Sequence, residues 1–186
     1  EIIPLRCPEN KHTFKPEVCA IKVSGAKDNS KNTNEKEAEA LVEKIVECCD
    51  DPRYKDMTMG VISLLGESQS ELIENLLKEK IGIEKMIERK LICGDAYSFQ
   101  GDERDIMFLS LVIANNAKFT ALTKESDIRR FNVAASRAKN QMFLFHSVDL
   151  EDLNPKCVRA ELLSYCLDSS KKYTFTSKDE NILVSG

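Results

Sequence analysis

Two short segments hold the residues whose types and spacing could do chemistry. The first is Ser98-Phe99-Gln100-Gly101-Asp102-Glu103-Arg104-Asp105, just ahead of an apolar run. Gly101 lets backbone amides approach a ligand, and Gln100 and Glu103 offer hydrogen-bonding groups from the same turn. On residues alone this is a polar turn, and most such turns are structural. The second segment runs from Arg129 through Lys139 and carries four basic residues, Arg129, Arg130, Arg137 and Lys139, among small or apolar neighbours. Its spacing predicts a helix over 128–139 with Arg130, Ala134 and Arg137 near one face. A solvated basic face is the plain reading of that pattern, while Ala134, Ala135 and Ala138 suit a helix packed closely against something.

The elements that must position these segments follow from periodicity. Residues 1–33 read as an irregular lead-in, interrupted by Pro4, Pro8 and Pro16, with a short alternation in 17–24 that could form a strand. Asn34 caps a helix whose stripe is Ala38, Leu41, Val42, Ile45 and Val46, with Glu37 placed as capping-box partner and Asp50-Asp51-Pro52 as its end. Apolar runs at 59–65 and 106–112 read as strands buried on both faces, as in a parallel sheet. Ser68 and Glu71 form a second capping box, opening a helix with Leu72, Ile73, Leu76 and Leu77 inward. Strands are also expected at 90–93 and 141–146 and a last helix at 158–167, followed by a polar tail from 169. Strands alternating with helices imply right-handed crossovers and a layered α/β domain.

Composition narrows the function classes. Hydrophobic residues make up 42% of the 186 and charged residues 31%, an ordinary globular balance with enough chain for a core. No apolar run reaches the ~18 residues of a membrane span, and the start does not read as a signal peptide. It does not begin with Met either, as a piece of a longer protein would not. The 7 Cys and 2 His include no Cys-x-x-Cys pair. Buried reduced thiols are therefore expected, and no metal site. The net charge of −4 argues against autonomous tight binding of nucleic acid but leaves room for a groove shared with another domain. No cluster of carboxylates with a nearby Lys suggests a nuclease.

Together, Gln100-Gly101-Asp102-Glu103 and Asn132-Val133-Ala134-Ala135-Ser136-Arg137-Ala138-Lys139 resemble motifs V and VI of superfamily I helicases. The intervening Ser110-Leu111-Val112-Ile113-Ala114-Asn115 resembles the strand end that family places there. Gly60-Val61-Ile62-Ser63 with Gln69 resembles its motif IV. The nearest branch is the one that includes the nonsense-mediated-decay helicase and its bacterial relatives, and the resemblance covers about residues 34–147. It implies that 34–168 form the second RecA-like motor domain, a three-layer P-loop-NTPase fold with a mainly parallel sheet.

The same resemblance makes Arg137 the arginine finger of an interdomain ATP site. Gln100, Gly101 and Glu103 would lie at the nucleotide and the interdomain hydrogen-bond network, and Arg130 would be a weaker phosphate-side candidate. Ser63, Gln69 and Tyr97 would face nucleic acid. ATP would bind with Mg²⁺, but the sequence has no Gly-x-x-x-x-Gly-Lys-Ser/Thr loop. The implied partners are thus a first RecA-like domain of the same protein, which would hold Mg²⁺ and most phosphate contacts, and single-stranded or duplex DNA or RNA. This fragment alone should be inactive, and a cytoplasmic or nucleoid-associated place is expected. Two departures stand out: Asp95 replaces the Ser or Thr that would touch a nucleic-acid backbone, and Tyr97 replaces a common Asp. They leave open a non-catalytic module that kept the fold to bind a partner protein.

Overall fold

The apolar runs assemble into one five-stranded sheet in the computed structural model, which describes residues 17–99 and 101–168. In chain order the strands are β1 (Val18–Lys22), β2 (Met59–Ser63), β3 (Ile92–Gly94), β4 (Arg104–Ala114) and β5 (Ala138–Ser147). Their order across the sheet is β1-β5-β4-β2-β3, and every pairing between them is parallel. The helices are α1 (Glu35–Asp50), α2 (Ser68–Lys80), α3 (Gly82–Glu88) and α4 (Glu125–Ala135), and helical backbone also runs over 158–168, here α5.

Alternation along β4 and β5 divides the core into two layers, because successive strand residues point to opposite faces. Ile106, Phe108, Phe143 and Phe145 pack under α1, α2 and α3, against Leu41, Ile45, Ile73, Leu77 and Met86. Met107, Leu109, Met142 and Leu144 pack under α4 and α5, against Phe131, Ala134, Leu162 and Leu163. The rings of Phe108 and Phe143 stack across the strands with centroids 5.2 Å apart. Each such side chain, fully buried, contributes about 1.5–3 kcal/mol relative to exposure. The result is the expected three-layer α/β fold with a parallel sheet, of RecA-like type. Among the described residues no helix is long and apolar enough to cross a membrane.

Several local expectations change. The strand anticipated within 17–24 forms as β1 and pairs with β5, so the sheet reaches ahead of the boundary placed at 34. The strand expected at 90–93 begins two residues later, since Lys90 takes a left-handed φ of 47° and turns the chain before it can pair. Asn34 does cap α1, its side chain accepting from the Glu37 N–H. Glu37 does not close a capping box, because the Asn34 N–H goes to Gln69. The Ser68–Glu71 box is also absent: Ser68 is already helical and Glu67 is the cap residue, without a side-chain bond. The lead-in before 17 and the tail after 168 lie outside the described residues.

Candidate functional site

The largest correction falls on the basic segment. Its helix ends at Ala135 rather than 139, and Ala138 and Lys139 open β5. Arg137 therefore lies on the link between α4 and β5, not on a helix face shared with Arg130 and Ala134. Strand pairing overrides the helix-forming composition here. The Arg104 N–H donates to the Arg137 carbonyl at 3.0 Å, and Arg104 pairs with Ala138 in the β4–β5 register. The same bond puts Arg137 beside the end of the 101–103 turn, joining the two segments singled out above.

Arg137 is half-buried. Its Nε donates to the Val133 carbonyl at 3.3 Å, at the negative end of the α4 dipole, where a cation is favoured. No salt bridge occupies it, and its two terminal nitrogens have no partner among the described residues. The guanidinium is thus held at its root and open at its tip. In the neighbouring turn Gly101 has φ 78°, and a Cβ there would meet nothing within 4 Å. Glycine is required at 101 for backbone conformation rather than room. Glu103 is partly exposed, and Gln100 lies outside the described residues.

One residue that binds this turn together was not anticipated. Arg104 is 6% exposed. Its Nε donates to the Lys90 carbonyl at 2.9 Å, and its Nη1 donates to Asp102 Oδ1 at 2.7 Å and to the Glu103 carbonyl at 3.0 Å. The guanidinium carbon also sits 5.7 Å from the centre of the Phe99 ring. Arg104 holds the Asp102 carboxyl below the usual carboxylate range. An arginine next to a Gln-Gly-x-Glu turn was the available signal; its burial was not.

Arg130 turns toward its own helix, with Nη2 3.5 Å from Asp127 Oδ1, and its Nε is buried with no partner among the described residues. Of the three residues expected at nucleic acid, Tyr97 is 51% exposed, whereas Ser63 and Gln69 are buried. Ser63 Oγ accepts from the Leu65 N–H at 3.3 Å. Gln69 works as a second strand would: its Oε1 accepts from the Asn34 N–H at 2.8 Å and its Nε2 donates to the Asn34 carbonyl at 3.0 Å. With both amide groups committed in the interior, Gln69 is not presented to a ligand here. Asp95 has a local task as well, since its Oδ1 accepts from the Ser98 N–H and Oγ at 2.8 and 2.9 Å and so caps the turn carrying Tyr97.

Gln69 belongs to a buried polar knot that pattern reading did not foresee. Glu37 Oε1 accepts from Ser110 Oγ at 2.7 Å and from the Val112 N–H at 2.8 Å. Its Oε2 accepts from Ser147 Oγ at 2.7 Å and Asn34 Nδ2 at 3.2 Å. Burial outweighs these donors and pushes the Glu37 carboxyl up to about 7. The described cysteines carry no disulfide; burial pushes Cys48, Cys93 and Cys166 up to about 12, so these thiols are poor nucleophiles. Among the described residues no cluster of His, Cys, Asp and Glu could hold a metal ion.

The chain is similar to known proteins over most of this fold. It is 30% identical over 134 residues to a Mycoplasma genitalium protein named as an uncharacterized ATP-dependent helicase. That match covers 66% of the chain but 12% of the relative, so the chain spans a small part of the protein it resembles. The family described as AAA domain matches residues 5–149, a span that includes the whole five-stranded sheet, the 101–104 turn and Arg137. The chain belongs to this AAA domain family.

Proposed function

We propose that this chain is the second motor domain of an ATP-dependent superfamily I helicase or translocase, and that it supplies Arg137 to an ATP site shared with a first RecA-like domain. The observation that carries the reading is the state of that residue: its side chain is rooted on the Val133 carbonyl and unpaired at its tip among the described residues, and its backbone is bonded to Arg104, which follows the 101–103 turn. An arginine suits the task because it stays charged and offers a planar fork to phosphate oxygens. Its guanidinium would stabilise charge as the γ-phosphoryl bond breaks, a contribution of about 10³–10⁵ in rate for arginine fingers.

In this reading Gly101, Glu103 and Gln100 line the nucleotide side of the domain, with Arg130, whose Nε lacks a partner among the described residues, as a further phosphate-side group. ATP binds with Mg²⁺, the metal and most phosphate contacts being held by the first domain. Tyr97, exposed on a capped turn, is the residue offered to a base of DNA or RNA by stacking. A soluble cytoplasmic or nucleoid-associated motor fits this set of partners. The module reading loses its main support, since Asp95 has a structural role as a cap and needs no lost nucleic-acid contact to explain it.

The test is ATP turnover by the full-length protein carrying Arg137→Ala, with and without single-stranded DNA or RNA. Turnover is expected to fall at least ~10³-fold while ATP affinity stays within about tenfold. Normal hydrolysis in that variant would remove the assignment.

A further inference from the structure

Arg104 and Arg137 are 33 residues apart in sequence, yet Arg104, through its backbone N–H and its side chain together, ties Arg137, the 101–103 turn and a third loop to one another. We propose that Arg104 is a positioning residue for the ATP site, a clamp that fixes the Gly101–Glu103 turn against the root of Arg137. This inference rests on the ATP-site reading above.

Three kinds of bond carry it. The backbone N–H of Arg104 holds the Arg137 carbonyl at 3.0 Å. Its Nη1 holds the Glu103 carbonyl at 3.0 Å and the Asp102 carboxylate at 2.7 Å, the residues on which the turn closes. Its Nε reaches the other way to the Lys90 carbonyl at 2.9 Å, anchoring the clamp to the chain just before β3. A nearly buried guanidinium needs several acceptors to offset lost hydration, and here all of the bonds its side chain donates end on loop backbone or on the turn. Arg104 is nearly buried and its donated bonds are spent on loop backbone and the turn, so the clamp acts on chemistry through the placing of Arg137. The planar fork matters: a lysine could satisfy one of these acceptors but not the Lys90 and Glu103 carbonyls together.

Loosening such a support displaces reacting groups rather than removing them, which costs up to ~10²-fold for a shift of about 1 Å. In the full-length protein, Arg104→Gln is expected to lower nucleic-acid-stimulated kcat about tenfold to a hundredfold, with the KM for ATP within about threefold. Arg104→Lys should recover part of that loss and remain at least about threefold below the parent. In an Arg137→Ala background, Arg104→Gln should lower kcat by less than about twofold further, because the group through which it acts is gone. A purely structural role would show the same fold-loss in both backgrounds.

Circular dichroism melting separates misfolding from misplacement. If Arg104→Gln does not fold, the comparison of Arg104→Lys alone and with Arg137→Ala carries the test, and parent-level kcat in Arg104→Lys overturns the proposal. Equal losses in the two backgrounds overturn it as well. Where Arg137→Ala abolishes turnover and the Arg104 variants match the parent, only the clamp fails. Where Arg137→Ala turns over normally, the ATP-site reading fails and the clamp with it.

Discussion

The two ends of β5 hold polar groups in opposite conditions. Just past the tip of the strand, the knot of Asn34, Glu37, Gln69, Ser110 and Ser147 is closed: its donors and acceptors are spent on one another. Just before the start of the strand, Arg137 has one bond from Nε and, among the described residues, no partner for its terminal nitrogens. The two places lie at opposite ends of β5, roughly 30 Å apart at ~3.3 Å per residue. The difference teaches which polar residues serve folding and which are left for a partner. Hydrogen bonds among buried groups are worth most when none is missing, and a group meant for a ligand must carry unmet valence at the surface.

The strongest way to break this contrast is at Arg137. Arg137→Ala should cost the ~10³-fold in turnover given above, about 4 kcal/mol of transition-state stabilisation, while denaturant unfolding changes by less than about 1 kcal/mol. The closed end should behave in reverse. Gln69→Ala leaves the Asn34 N–H buried without its partner, while the Asn34 carbonyl keeps the Ala38 N–H, so unfolding should become easier by roughly 1–3 kcal/mol. Nucleic-acid affinity measured where both proteins are folded should be unchanged. A large loss of affinity with intact stability would return Gln69 to the ligand surface.

The pH dependence of stability sharpens the same point. Glu37 titrates at about 7 in the folded chain, above its ordinary 4.5. Folding therefore favours its protonated form, and the stabilisation tied to that proton is complete below about pH 4.5. It is lost as pH rises toward 7 and is gone above that, a change on the order of 3 kcal/mol. Glu37→Gln should lack this slope, so the gap between variant and parent in chemical denaturation should move in the variant's favour from pH 5 to 8. Parallel pH profiles for the two proteins would show that Glu37 ionises freely.

How much of this was legible depends on whether the deciding neighbours lie near in sequence. The buried strands at 59–63 and 106–112 and the α1 stripe follow from residue order, because burial on one or two faces writes its own period. The Asn34 cap is local for the same reason. Glu37 reads as a capping-box partner and Gln69 as a residue facing nucleic acid because their actual partners lie 73 and 35 residues away. Arg137 was identified by its neighbours in sequence but misplaced on a helix, since Ala138 and Lys139 favour helix until β4 offers them a ladder. Arg104 stood in plain view beside the turn, and only its burial marks it as a clamp. The smallest predicted effect tests a local feature: Asp95→Ala should cost about 1 kcal/mol of stability by uncapping the turn under Tyr97, and by removing a carboxylate it should not weaken nucleic-acid binding.

The pairing of β4 with β5 slips at two places, by one residue between Arg104 and Ile106 and by two further along. From Ser110 to Ala114 the first strand advances four residues while its partner advances two, from Phe145 to Ser147, with Val112 at φ 71° in between. The surplus is even, so Leu109, Leu111 and Ile113 all remain in one core layer despite the irregularity. Loss of a single residue from this stretch would send everything beyond it to the wrong side of the sheet, whereas loss of two would keep each side chain on its own side. Length variation at this point in related chains is therefore expected to come in pairs.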